Sequence, residues 1–163
     1  MTVQDGIEIV EVAREEREPL DPILEDSFEG WYLRHSRGIL RSVETVRVAK
    51  LSGEPVGLIM LKKLEPGVGY VYYVAVIKAH RKTGVATLLL KDALSLFKDA
   101  GDLEVFASVE EDNTPSERLF AAEGFARTTY GEVSKRHGPL RALNMYRMMV
   151  VVPGEILLHK SLQ

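Results

Sequence analysis

A chain of 163 residues with 45% hydrophobic and 28% charged residues has the make-up of one globular domain, and a single domain over 1–163 is expected. The formal net charge of −3 offers no basic footprint for nucleic acid and no attraction to acidic membranes. The absence of cysteine excludes disulfides, thiolate metal sites and a cysteine acyl-enzyme. Residues 1–14 carry Asp5, Glu8 and Glu11 and lack the basic-then-apolar layout of a signal peptide; no apolar run reaches bilayer length. The expected location is cytoplasmic.

In chain order, residues 7–13 alternate Ile7, Ile9 and Val12 against Glu8 and Glu11, which predicts a half-buried strand. Over 15–36, Pro19 and Pro22 suit a helix start, and Ile23, Leu24, Phe28, Trp31 and Tyr32 recur at helical spacing, with Gly30 dividing two short helices. Residues 45–51 and 55–64 read as strands joined by Ser52-Gly53-Glu54, a hairpin signal. Glu65-Pro66-Gly67 marks a turn, and 70–76 is the most strand-like run of the chain. After Gly84 the period changes: Val85, Leu88, Leu89, Ala93, Leu96 and Phe97 form one apolar helical stripe, which Gly101 ends.

Residues 103–109 alternate as a further strand, and Thr114-Pro115 opens a short helix that runs to Ala122 and stops at Gly124. Residues 126–133 and 142–152 read as two closing strands around a turn at 135–139, with the tail after Pro153-Gly154 unassigned. The order is strand, helices, three strands, helix, strand, helix, two strands. It predicts an α/β fold, a mixed sheet with helices packed on it.

The chemistry is concentrated where the strand ending at Val74-Ala75-Val76 runs through a short basic loop into the amphipathic helix. A helix N-terminus presents unpaired N–H groups and the positive end of the macrodipole, and so attracts phosphate. Gly84 lets the backbone approach an anion, Ala86 keeps the first turn small, and Arg81 and Lys82 add cationic donors. The loop lacks both the Gly-Lys-Ser/Thr ending of a P-loop and the three glycines of a dinucleotide turn.

Arg81-x-x-Gly84-x-Ala86, following a strand, resembles the coenzyme A pyrophosphate loop of the GNAT superfamily of N-acetyltransferases, written Arg/Gln-x-x-Gly-x-Gly/Ala. Downstream, Asn113, Ser116, Leu119-Phe120 and Gly124-Phe125 resemble that family's Asn-x-x-Ala-x-x-Leu-Tyr-x-x-x-Gly-Phe motif. The resemblance covers about residues 45–146; the part before it agrees only in the order of elements.

The resemblance implies a central, mostly antiparallel sheet splayed at the cofactor strand, flanked by helices, and an acetyl-coenzyme A-dependent N-acetyltransferase. Val74, Ala75 and Val76 would meet the pantetheine arm, with Val76 N–H a donor to the thioester oxygen. Arg81, Lys82, Thr83, Gly84, Val85, Ala86 and Thr87 would hold the pyrophosphate, mostly through backbone N–H groups. Asn113, Ser116 and Phe120 would lie along the cofactor. An amine (a protein N-terminus, a lysine or a small amine) would attack the thioester directly, with no covalent enzyme intermediate.

One position departs from the family: the tyrosine often assigned to protonate the leaving thiolate is Phe120 here. Ser116, one helical turn earlier, Tyr130, Tyr146 or a water are the alternatives. For the base, Glu110, Glu111 and Asp112 at a strand end and Tyr70 and Tyr72 on the strand leading to Val76 are candidates.

Plainer readings stand beside these. Asn113 could be a helix cap, Tyr70, Tyr72 and Tyr73 strand packing, the acidic run a solvated loop, and Arg34, Arg37 and Arg41 a surface stripe. His35, His80, His137 and His159 lack metal-ligand spacing, so no metal is expected. Phe120 also keeps a non-catalytic module that binds coenzyme A, a sensor or partner subunit, as the alternative function. The apolar runs 148–152 and 156–158 suggest a homodimer through terminal strands.

Overall fold

The alternating segment at the start forms strand β1 (Ile7–Glu11), which pairs antiparallel with β2 (Thr45–Leu51) in a computed structural model describing residues 6–163. The reading of the N-terminal segment for a leader therefore lies outside the described residues over 1–5. The two helices expected early are α1 (Asp21–Ser27) and α2 (Gly30–Ser42); Gly30 begins the second, which runs six residues past the expected end at Ser36. The predicted hairpin joins β2 to β3 (Glu54–Glu65), and the turn at Pro66-Gly67 leads to β4 (Val68–Val76). The amphipathic stripe is α3 (Val85–Asp99), followed by β5 (Glu104–Glu110) and α4 (Thr114–Ala122).

The seven strands are ordered β1-β2-β3-β4-β5-β7-β6, where β6 is Ala126–Thr128 and β7 is Glu155–Ser161. The β4–β5 pair is parallel, in a register that covers Val68↔Glu104 to Val71↔Ala107; β1–β2, β2–β3, β5–β7 and β6–β7 are antiparallel. No helix among the described residues is long and apolar enough to cross a membrane.

Two compact units share the chain. The first takes the chain up to Lys62 together with Tyr73–Ser95; the second takes Lys63–Tyr72 with Leu96–Gln163. In the first, Val46, Val48, Leu58, Leu89, Leu90 and Ala93 are fully buried, and Gly57 lets helix and sheet close up: a Cβ there would lie 3.0 Å from Ala75 O and 3.2 Å from Leu89 Cδ1. A side chain at 57 would push the two apart. Arg17 is 4% exposed, although arginine is seldom buried. Its guanidinium donates to the carbonyls of Leu40 (2.9 Å) and Val43 (2.7 Å) at the end of α2, and at longer range to those of Val12 and Glu44.

The second unit overturns the reading of 126–152 as two strands. After the three-residue β6, the chain forms α5 (Tyr130–His137) and α6 (Pro139–Met149). Thr129 caps α5 by accepting from Glu132 N–H at 3.2 Å, and Pro139 sits in the first turn of α6. Ala142, Met145 and Met149, at i, i+3 and i+7, pack with Val133, Tyr70, Phe106 and Leu157 in the core of this unit. The closing strand is instead β7, from the unassigned tail, whose polar His159, Lys160 and Ser161 hid its pattern.

The homodimer expectation loses its surface as a result. Residues 148–149 end a helix, and 156–158 pair with β5 on one side, 157–158 also with β6 on the other.

Glu104 anchors a charged network in the same unit. His137 Nε2 and His159 Nε2 each donate to its Oε1 at 3.1 Å, and Arg136 Nη1 lies 3.6 Å away. Burial alone would raise the Glu104 carboxyl, but the hydrogen bonds from the two imidazoles outweigh it and hold the group at about 2 against an ordinary 4.5. A carboxylate depressed in the folded state stabilises the fold above its unfolded pKa, and that stability goes as pH falls through the folded value. The folded protein should accordingly lose on the order of 2 kcal/mol from this group between about pH 4.5 and 2. Urea melts of Glu104→Gln should be weaker than wild type near neutrality and flatter across that acid window; parallel pH curves for the two proteins would refute this.

Candidate active site

β4 delivers Tyr73, Val74, Ala75 and Val76 to the loop that precedes α3, all within the first unit. Side chains and backbone of that unit fasten the loop on several sides. Ile77 N–H donates to Val56 O at 2.9 Å and Lys78 N–H to Asp26 Oδ2 at 2.5 Å. Thr83 Oγ1 donates to His80 O at 2.5 Å. Arg81 Nε donates to Val76 O at 2.9 Å, while Nη2 reaches Asp26 O at 3.1 Å and Ser27 Oγ at 3.4 Å. The Arg81 guanidinium thus ties the strand end to the end of α1 and is not a free cation beside the helix terminus. It sets the shape of the loop.

Beyond it the backbone turns through two left-handed residues, Lys82 (φ 61°) and Gly84 (φ 93°). The Leu88 N–H to Gly84 O bond, 3.0 Å, closes the first turn of α3, so the amides of Val85, Ala86 and Thr87 have no carbonyl partner inside the helix. A Cβ built on Gly84 would meet nothing within 4 Å. An unobstructed glycine ahead of unpaired amides at the positive end of a fifteen-residue helix suits a pyrophosphate. The exposed Lys82 stands in the same loop.

An aromatic group lies in the same unit. Phe28, the residue after Ser27, packs edge-on against Tyr73 with ring centres 5.1 Å apart. Tyr73 Oη lies 2.7 Å from His35 Nδ1. Trp31 stacks on His35 at 4.6 Å and 11°, and is 43% exposed. Burial lowers the His35 pKa, so the ring is neutral at pH 7. Sequence reading treated His35 as scattered and Tyr73 as packing; the available signal was the i, i+4 spacing of Trp31 and His35 on α2.

The remaining candidates belong to the second unit. Tyr72 Oη donates to Met148 O at 2.8 Å, and Tyr70, 1% exposed, bonds to Ser108 Oγ at 2.6 Å and Met149 O at 3.2 Å. Both hydroxyls are used in holding α6. Glu110 is the exposed last residue of β5, with Glu111 and Asp112 in the exposed turn after it. Asn113 caps α4, its Oδ1 accepting from Ser116 N–H at 3.2 Å. Ser116 is half-buried, and Phe120 is 4% exposed, edge-on to Phe125 at 5.1 Å. Tyr130 and Tyr146 pack against each other at 4.8 Å; burial first, then Tyr130, pushes the Tyr146 hydroxyl up. The first unit thus collects Val74, Ala75, Val76 and Arg81 to Thr87, whereas Tyr72, Glu110, Asn113, Ser116 and Phe120 lie in the second.

A strand, an anion-ready loop and a helix of this kind define a coenzyme A-binding class of protein, and the comparison with protein families agrees. The chain belongs to the acetyltransferase (GNAT) family, whose model matches residues 7–125. A search of curated proteins finds no match. Among solved structures, the fold is similar to that of Ard1 from Thermoplasma volcanium, with a TM-score of 0.73, 20% identity, and 97% of this chain and 99% of that one covered. It is similar to the ribosomal-protein-S18-alanine N-acetyltransferase from Escherichia coli, with a TM-score of 0.72, 11% identity, and coverage of 96% and 94%. It is also similar to a GNAT family acetyltransferase from Elizabethkingia anophelis with acetyl-CoA bound, with a TM-score of 0.72, 20% identity, and coverage of 98% and 100%.

Proposed function

We propose that this chain, acting as one domain over 1–163 in the cytoplasm, transfers an acetyl group from acetyl-coenzyme A to a primary amine in a ternary complex. The observation that carries the reading is the β4–α3 junction, where Gly84 leaves open space in front of the unpaired amides of Val85, Ala86 and Thr87. That two of the similar structures are an alanine N-acetyltransferase and an acetyl-CoA complex supports it. A protein N-terminus, a lysine or a small amine would each satisfy the chemistry.

Acetyl-coenzyme A supplies the activated acyl group. The chain's own residues bind its diphosphate through the amides from Gly84 to Thr87, with Lys82 adding charge. Val74 and Val76 offer backbone groups to its arm, and Val76 N–H donates to the carbonyl oxygen as that oxygen gains charge. The amine nitrogen bonds to the carbonyl carbon, and the carbon–sulfur bond breaks with its electron pair on sulfur. With an ordinary thiol pKa of roughly 8.5, that sulfur leaves tolerably as thiolate. Phe120 has no proton to give and is buried against Phe125, so it serves as packing. Ser116 or water is then the nearest source of a proton.

General acid catalysis contributes about 10²–10⁴-fold, whereas orienting the amine is worth roughly 7–11 kcal/mol, so positioning dominates. Wild type should release free thiol from acetyl-coenzyme A when offered a panel of amines. Ser116→Ala and Phe120→Tyr should change kcat only a few-fold. The specific feature in favour of the other reading, a non-catalytic coenzyme A sensor or partner, is the missing hydroxyl at 120. Binding without turnover by wild type, with turnover appearing only in Phe120→Tyr, would establish that reading instead.

A further inference from the structure

Resting on the transferase reading, we propose that Tyr73 and His35 form the proton-accepting pair for the acceptor amine, beside an acceptor surface walled by Trp31. No motif singles out these residues; three features of the first unit bring them together.

The first is the contact itself. A 2.7 Å bond joins Tyr73 Oη to His35 Nδ1, between residues that are 38 positions apart in sequence. Nδ1 accepts when the ring proton sits on Nε2, so the phenol is the donor and its oxygen lone pairs remain able to receive a proton.

The second is location. Arg81 binds Asp26 O and Ser27 Oγ, and the next residue, Phe28, packs on the Tyr73 ring. The contacts therefore run unbroken from the anion-binding loop to the pair. Along β4, Tyr73 precedes Val76 by three residues, about 10 Å of strand. That is within reach of an amine approaching a thioester near the Val76 amide, directly or through one water.

The third is the setting of the imidazole. His35 faces the Tyr73 phenol from β4, and Trp31 stacks on it from its own helix. Burial is the one cause that lowers its pKa, so it is neutral and ready to accept at pH 7. Once protonated, the ring is a cation stacked on the indole face, which a cation–π interaction stabilises. The 43% exposure of Trp31 leaves an aromatic face for the carbon skeleton of the acceptor.

The step balances without any other reactant. The ammonium proton passes to Tyr73 Oη while the phenol's own proton passes to His35 Nδ1. The amine becomes neutral, its lone pair is freed for attack, and the imidazolium returns its proton to solvent. Tyr73 is the catalytic residue, and His35 acts through it as a positioning and relay residue.

The test combines Tyr73→Phe and His35→Gln with titration calorimetry of acetyl-coenzyme A and kcat measured from pH 6 to 10. Both variants should bind acetyl-coenzyme A within about threefold of wild type. Both should lose about 10²-fold in kcat at pH 7. The deficit should shrink as pH rises towards the amine's own pKa, where solvent supplies the free base. A purely structural role would give a deficit that does not change with pH. Variants that turn over within threefold of an active wild type at pH 7, or whose deficit is constant with pH, overturn the pair and leave the transferase reading intact. A wild type with no turnover on any amine overturns the transferase reading and the pair with it.

Discussion

Gly84→Glu is expected to abolish the binding of acetyl-coenzyme A while leaving a folded protein. Two effects act at this position, and they separate. The backbone sits at φ 93°, so any side chain adds strain of roughly 1–3 kcal/mol. Space is not the problem, because a Cβ here meets nothing within 4 Å. What the glutamate adds is a negative charge in front of the unpaired amides of α3, where the diphosphate would bind. It competes for those amides and repels the incoming anion, and the helix dipole that favours phosphate favours the carboxylate equally. Gly84→Ala carries the strain without the charge. The alanine variant should lower the melting temperature and weaken binding by less than about tenfold. The glutamate variant should weaken it more than about 100-fold and remove the thermal shift that ligand gives wild type, a shift worth about 2.7 kcal/mol at 100 times Kd. Calorimetry that finds Gly84→Glu binding as well as wild type would move the site elsewhere.

The contrast between what sequence reading reached and what it missed follows from how far apart the deciding residues lie. β2, β3 and α3 carry their own periodicity, and their expected bounds are close to those observed. The pyrophosphate loop is equally local, because a strand end, one glycine and a helix start are contiguous. The segment 126–152 failed because Val133, Ala142, Met145 and Met149 gain their meaning from Tyr70, Phe106 and Leu157, which lie elsewhere in the chain. β-Branched, methionine and tyrosine content pointed to strands, and tertiary packing of a helical stripe prevailed. Arg81 reads as a phosphate ligand until Asp26 and Ser27 are placed beside it. Tyr73 and His35 are 38 residues apart, and neither sits in a motif, so only the fold could pair them.

Arg17→Ala should produce the largest loss of stability of any single change outside the two cores. A buried guanidinium without a carboxylate partner looks unfavourable at first, since burial also pulls its pKa down. Its compensation comes from backbone: the carbonyls of Leu40 and Val43 at 2.9 and 2.7 Å, with Val12 and Glu44 at longer range. Leu40 is in the last turn of α2 and Val43 follows its end, where carbonyls have no amide partner and the macrodipole is negative. Swapping a buried ion pair for apolar residues is often neutral because both polar partners disappear together. Here the substitution removes only the donor and leaves the carbonyls behind, each at a cost of about 1–3 kcal/mol if it stays dry. The sum, eased by water entering the space an alanine leaves, comes to about 3–5 kcal/mol. For a chain of this size that lowers the melting temperature by roughly 10 °C. Arg17→Lys should recover only part of it, because one ammonium cannot span acceptors that the planar fork reaches together. Arg17→Met separates charge from volume: it fills the space, keeps water out and should be at least as damaging as alanine. Urea unfolding in which Arg17→Met equals or exceeds wild type in stability would show that desolvation of the guanidinium outweighs its hydrogen bonds.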